Sequence, residues 1–243
     1  MTPSPVVRQR ADLAAYVPLA AVTTAAAVLG RDRTHLVSKM LLAPSLAVGV
    51  LATRGGRPTA RTATLVAALA GSTVGDWWMN ASGREVDDAR RHGLLRRGAA
   101  AFGVQQLGLL RLLMADGVRP RAVPSTCVAG VMAGLAVVES VGAGGKPDPV
   151  LSGYGVLLGS MAALATGDGR ALRRRRAVAL GGGLFLLSDA TIIVGEHLAR
   201  SARQEAVVSG IVMATYAAAL ALLVHGLRDE PLPRDRSVVG AAA

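Results

Sequence analysis

Two aspartates, Asp76 and Asp189, each lie inside an apolar run long enough to cross a bilayer: TLVAALAGSTVGDWWMN (Thr64 to Asn80) and AVALGGGLFLLSDATIIVG (Ala177 to Gly195). A carboxylate at membrane depth costs about 2.5–3.5 kcal/mol on insertion scales, so it normally faces a polar cavity and has a task there. Two such groups at one level suit acid–base chemistry, in which one carboxyl donates a proton while the other, ionised, accepts a proton or stabilises positive charge. The plainer alternative is that each carboxyl ties helices together, by hydrogen bonds or by pairing with Lys39.

Other polar groups fall within or beside apolar runs. Lys39 is suited to orienting a phosphate or to keeping one Asp ionised, or else to snorkelling toward the headgroups. Gln105 and Gln106 place amides in mid-span, able to bond a headgroup or to pack against another helix. Tyr154 reads as an interfacial anchor and the mid-span Tyr216 as part of a cavity lining. Trp77 and Trp78 read as an interfacial belt, and Glu139, Glu196 and His197 fall at helix ends, where solvent is the simplest partner.

Several chemistries lack their residues. His35, His92, His197 and His225 are scattered without the spacing of a metal motif, and no GxSxG elbow, HExxH pair or phosphate loop is present. A single cysteine, Cys127, excludes an intrachain disulfide framework and a thiolate metal cage.

The elements that must position the two acids follow from composition. With 51% hydrophobic and only 3% aromatic residues in 243 positions, and a mean hydropathy of +0.42, the chain is too apolar and too poor in ring volume for an ordinary water-soluble core. An all-α, polytopic membrane bundle is predicted, a single domain over 1–243. At about 20 apolar residues per span, eight helices are expected: Ala11–Leu29, Thr34–Thr53, Thr62–Ala81, Gly93–Met114, Ala122–Ser140, Pro149–Thr166, Ala177–His197 and Ala206–Gly226. The fourth is the least regular, since Arg96, Arg97 and Arg111 lie within it. The first run follows Arg8 and Arg10 and resembles a signal peptide, but its length and the closeness of the next span favour a retained helix.

The net charge of +11 does not point to nucleic acid, because the arginines sit in short segments between apolar runs, as topology-setting loops do. The larger share, including Arg54, Arg57, Arg61 and the Arg173–Arg176 cluster, falls on the side of the N-terminus. Both termini, with tails 1–10 and 228–243, are therefore expected in the cytoplasm of a bacterial-type plasma membrane. The contrary signal is the basic segment Arg84–Arg97, which also holds Glu85, Asp87 and Asp88. Helix rise then places Asp76 and Lys39 about 7 Å, and Asp189 about 3 Å, from mid-membrane toward the outer face. Spans three and seven run parallel and share a small-residue, Asp, apolar pattern, Gly75-Asp76-Trp77 and Ser188-Asp189-Ala190, which hints at a four-plus-four duplication.

Taken together, SKMLLAPSLA (Ser38–Ala47), STVGDWWM, GGGLFLLSDATI, YGVLLGSM (Tyr154–Met161) and ATYAAALALL (Ala214–Leu223) resemble the conserved segments of the YhhN-like lysoplasmalogenases. Lys39 and Pro44 match that family's Lys-Pro-Leu-Leu-Met-Pro segment, with Met40 where proline is usual. Gly75 and Asp76 match its Gly-Asp stretch, and Phe185, Ser188 and Asp189 its Phe-x-x-Ser-Asp stretch. The chain departs at Gln106, Leu109 and Leu220, where His, Tyr and Gln are common. The resemblance implies hydrolysis of the vinyl-ether bond of a lysophospholipid to a fatty aldehyde and a glycerophospho-headgroup. On that reading Asp76 and Asp189 are catalytic, Lys39, Gln106, Tyr154, Ser188 and Tyr216 bind substrate, and no metal or cofactor is required. A small transporter or lipid-binding membrane protein would use the same charges for a proton or a headgroup.

Overall fold

A computed structural model describes residues 5–55, 57–142, 148–168 and 174–228, and the side chains of 13–55, 57–138, 148–168 and 174–228. Eight α-helices make up the described residues: α1 (Pro5–Val28), α2 (Asp32–Ala52), α3 (Thr59–Ser82), α4 (Asp88–Ala115), α5 (Ala122–Gly142), α6 (Pro149–Ala165), α7 (Arg175–Leu198) and α8 (Ala202–Leu227). The eight expected helices correspond to them one for one. At α4 and α8 the starts differ from expectation because a polar first turn precedes the apolar run. Asp87 caps α4 by accepting from the Arg90 amide at 2.8 Å, and Ser201 caps α8 by accepting from the Gln204 amide at 3.3 Å. Both helices therefore begin ahead of their apolar stretches.

Four helices, α2, α4, α7 and α8, are long and apolar enough to cross a membrane, and shorter apolar stretches lie at Leu13–Val28, Ala122–Val138 and Pro149–Ala165. The outer surface is apolar as well, with Val17, Val48, Val104, Leu107, Val156, Leu180 and Leu187 about half exposed or more. Such a coat fits lipid rather than water. Thr23, Thr64, Thr73, Thr126, Thr191 and Thr215 return their hydroxyls to the carbonyl one turn back, which satisfies a polar group inside an apolar helix.

The tightest pairings are the antiparallel hairpins α3–α4 and α7–α8. Small residues let these backbones approach. A Cβ at Gly75 would stand 2.6 Å from the Phe102 ring, and one at Gly181 would stand 2.8 Å from Leu223. α5 is the most loosely held helix, packed chiefly on α6 and to a lesser extent on α7.

Two ends can be distinguished by their connections. At the α4–α5 end, Arg61 makes a paired contact to Asp116 (2.6 and 2.8 Å) and also donates to the Leu227 carbonyl, joining α3, α4 and α8. Arg61 is 9% exposed, so it is a buried helix connector and not the free loop charge expected from the sequence. It occupies the first turn of α3, facing the end of α4. At the α3–α4 end, Asp148 caps α6 and meets His92 Nε2 at 2.7 Å. Burial opposes ionisation of Asp148, but the amides of Leu151 and Val150, with His92 and Arg96, outweigh it and hold the carboxyl below its ordinary range. The expected features that involve the tails 1–4 and 229–243, the side chains of Arg8, Arg10 and Glu139, Lys146, and Arg170 and Arg173 lie outside the described residues.

Candidate functional site

Asp76 and Asp189 line one cavity of about 690 Å³ together with Lys39, Tyr154, Ser188 and Tyr216. This volume is within the range of small-molecule sites. Asp76 reaches it because α3 keeps one face small: Gly71, Ser72 and Gly75 are buried on it. Asp189 follows the glycine run of α7, where Gly181 and Gly182 are buried against neighbouring helices.

The surroundings of the two carboxyls differ. Asp76 is 1% exposed; its Oδ1 pairs with Lys39 Nζ at 3.1 Å and its Oδ2 accepts from Tyr216 at 2.6 Å. Because the Tyr216 hydroxyl gives its hydrogen to Asp76, the Ser72 hydroxyl at 2.5 Å must donate to Tyr216. Asp189 accepts from Tyr154 at 2.5 Å and has no ion-pair partner among the described residues. The Phe102 ring separates the two tyrosines, its centroid 6.3 Å from each. One carboxyl thus sits in a cationic, doubly bonded setting and the other in a neutral one.

Tyr154 is therefore not the interfacial anchor its position suggested. It turns inward because Asp189 offers an acceptor at its level and Phe102 an aromatic face. Tyr216 lines the cavity as expected. Ser188 also lines it, but its hydroxyl donates to the Val212 carbonyl at 3.1 Å and so ties α7 to α8. Gln106 is fully buried and is not among the residues of the cavity wall. The other family departures, Leu109 and Leu220, belong to the apolar core. Trp77 is 52% exposed, and Trp78 stacks under Arg97 at 5.1 Å, a setting that suits an interfacial belt.

Ser72 and Phe102 were not identified from the sequence. Ser72 had a readable signal: it lies one helical turn before Asp76 and must share its face. A second, more polar cavity of about 480 Å³ adjoins the first, sharing Lys39, Ile192, Glu196, Val212 and Met213 and adding Asp32, His35 and Glu205. Lys39 stands between them, with 16% of its side chain exposed.

Neither a curated protein nor a solved structure matches the chain. The YhhN family profile matches residues 34–227, from the first turn of α2 to the end of α8 and across every residue of the site, and the chain belongs to the YhhN family.

Proposed function

We propose that the protein hydrolyses the vinyl-ether bond of a lysophospholipid, releasing a fatty aldehyde and a glycerophospho-headgroup, with Asp189 as proton donor and Asp76 as the ionised carboxylate. The observation that carries this reading is the asymmetry of the acids in one cavity: Lys39 pairs with Asp76, whereas Asp189 meets a tyrosine hydroxyl.

The Asp189 proton passes to the enol-ether carbon remote from oxygen, leaving an oxocarbenium ion at the carbon bonded to oxygen. Asp76, held by Lys39 and Tyr216, stabilises that charge and takes a proton from the water that adds there. The resulting hemiacetal collapses when Asp76 returns its proton to the departing glycerol oxygen and Asp189 takes the hemiacetal hydroxyl proton. Both acids end as they began, and one water is consumed. Tyr154 bonds one oxygen of Asp189 and leaves the other free to carry the transferred proton. The polar cavity beyond Lys39 offers room for the headgroup.

The same proposal places the chain as one domain in a plasma membrane with both termini cytoplasmic, so that the cavity opens in the outer half of the bilayer. Reporter fusions at Ala243 and in the α5–α6 connection test the topology, and an external C-terminus would refute it. Aldehyde release by purified protein, measured with vinyl-ether, saturated-ether and ester lysolipids, tests the reaction. Cleavage of the vinyl ether alone is expected, and cleavage of the ester alone would contradict it.

A further inference from the structure

The larger cavity continues well past the two acids. On α6 its lining runs from Leu151 to Ala163, and on α5 from Ala136 back to Ser125, while α7 contributes only Phe185 to Glu196. Beyond the acids the walls are therefore α5 and α6. Val128, Ala129, Gly159, Ser160 and Ala163 line this stretch, all small or apolar apart from one serine. α5 rests on α6 through Met132, which lies over Gly155 and Gly159, so the space beside that contact is narrow. Tyr154 marks the level of Asp189. From there to Ala163 is about 13 Å at helix rise, the length of about ten carbons of extended alkyl chain.

The lining ends at Ser125 and Ala163. Arg119 and Asp168 exchange backbone hydrogen bonds of 3.0 and 2.8 Å, joining the α4–α5 and α6–α7 connections just beyond Ser125 and Ala163. The Ser125 hydroxyl is buried there without a partner among the described residues, a poor neighbour for a longer apolar chain.

We propose that the space between α5 and α6 is a hydrocarbon-chain groove that measures the substrate, with Ala129 and Ala163 setting the longest chain that fits. The occupant is the single unbranched chain of the lysolipid, because the groove is continuous with the acid pair at one end and its small, apolar lining ends at Ser125 and Ala163. This inference rests on the lysolipid reading above and adds to it the direction of the chain and a limit on its length.

The test uses the full chain in lipid nanodiscs and saturated 1-alkyl lysophosphatidylcholines, which carry no vinyl bond, competing with a fluorescent lysolipid probe. Affinity, referred to the lysolipid held in the disc so that partitioning into the bilayer cancels, is expected to rise with each methylene the groove takes up. The rise should stop near twelve carbons, being about ten in the groove and two at the reacting bond. Ala163→Phe and, on the facing helix, Ala129→Phe each raise the floor by about one helical turn and should shorten the limit by about four carbons. A limit unmoved by both variants, or wild-type affinity still rising through about eighteen carbons, would overturn the proposal. Limits that shift in a protein that releases no aldehyde would leave the groove standing and remove the reaction. Aldehyde release with unmoved limits would do the reverse.

Discussion

Lys39 Nζ stands 3.1 Å from Asp76 Oδ1, and the Asp76 side chain is 2% exposed. A carboxylate so enclosed depends on its cation. Removing one partner of a buried pair typically costs about 3–5 kcal/mol, because the other charge is left uncompensated. Lys39→Met should therefore lower both thermal stability in detergent and aldehyde release. Adding Asp76→Asn to Lys39→Met should restore most of the stability and none of the rate. A Lys39 whose task is only to hold phosphate would leave stability unchanged in the single variant.

The Ser72–Tyr216–Asp76 chain predicts coupling. Tyr216→Phe removes the donor to Asp76 and strands the Ser72 hydroxyl, with an expected loss of about 1–3 kcal/mol. In a double-mutant cycle Ser72→Ala should cost less when Phe already stands at 216. Strictly additive losses would show that the two hydroxyls do not act as a unit.

At the opposite end, Arg61 and Asp116 make the same kind of test without the chemistry. Arg61→Met alone should destabilise by about 3–5 kcal/mol, whereas Arg61→Met with Asp116→Leu should be close to wild type. Thermal unfolding of the three proteins measures this. Equal loss in single and double variants would assign the cost to the Leu227 carbonyl, which loses its donor in both.

Asp148 gives a pH-dependent prediction. Its carboxyl is held below the ordinary range in the folded protein, so its contribution is present above the unfolded value and is lost as pH falls through the folded one. Asp148→Ala should cost about 1 kcal/mol near neutrality, as a lost N-cap does. The difference in melting temperature between variant and wild type should shrink below about pH 4. A difference independent of pH would mean that the cap works without its charge.

The helices were legible because each is built around an apolar run, and the site was legible because a charge inside such a run is expensive. Asp76, Asp189 and Lys39 could be identified from type and depth alone, and all three line one cavity. What could not be read was partnership. Nothing along the chain says that Lys39 chooses Asp76 over Asp189, since that depends on how α2 and α3 pack. Tyr154 near the start of α6 has the position of an anchor, and only the facing α7 turns it inward. Arg61 looks like a loop charge until Asp116 and the end of α8 close over it.

The most direct test of the central claim is aldehyde release from a vinyl-ether lysolipid by purified wild type, Asp76→Asn and Asp189→Asn, each corrected for the folded fraction. General acid–base help is typically worth about 10²–10⁴-fold, so each Asn variant should lose at least about a hundredfold while remaining folded. An active wild type whose two Asn variants both stay within about tenfold of it would contradict the assignment of these aspartates to the chemistry.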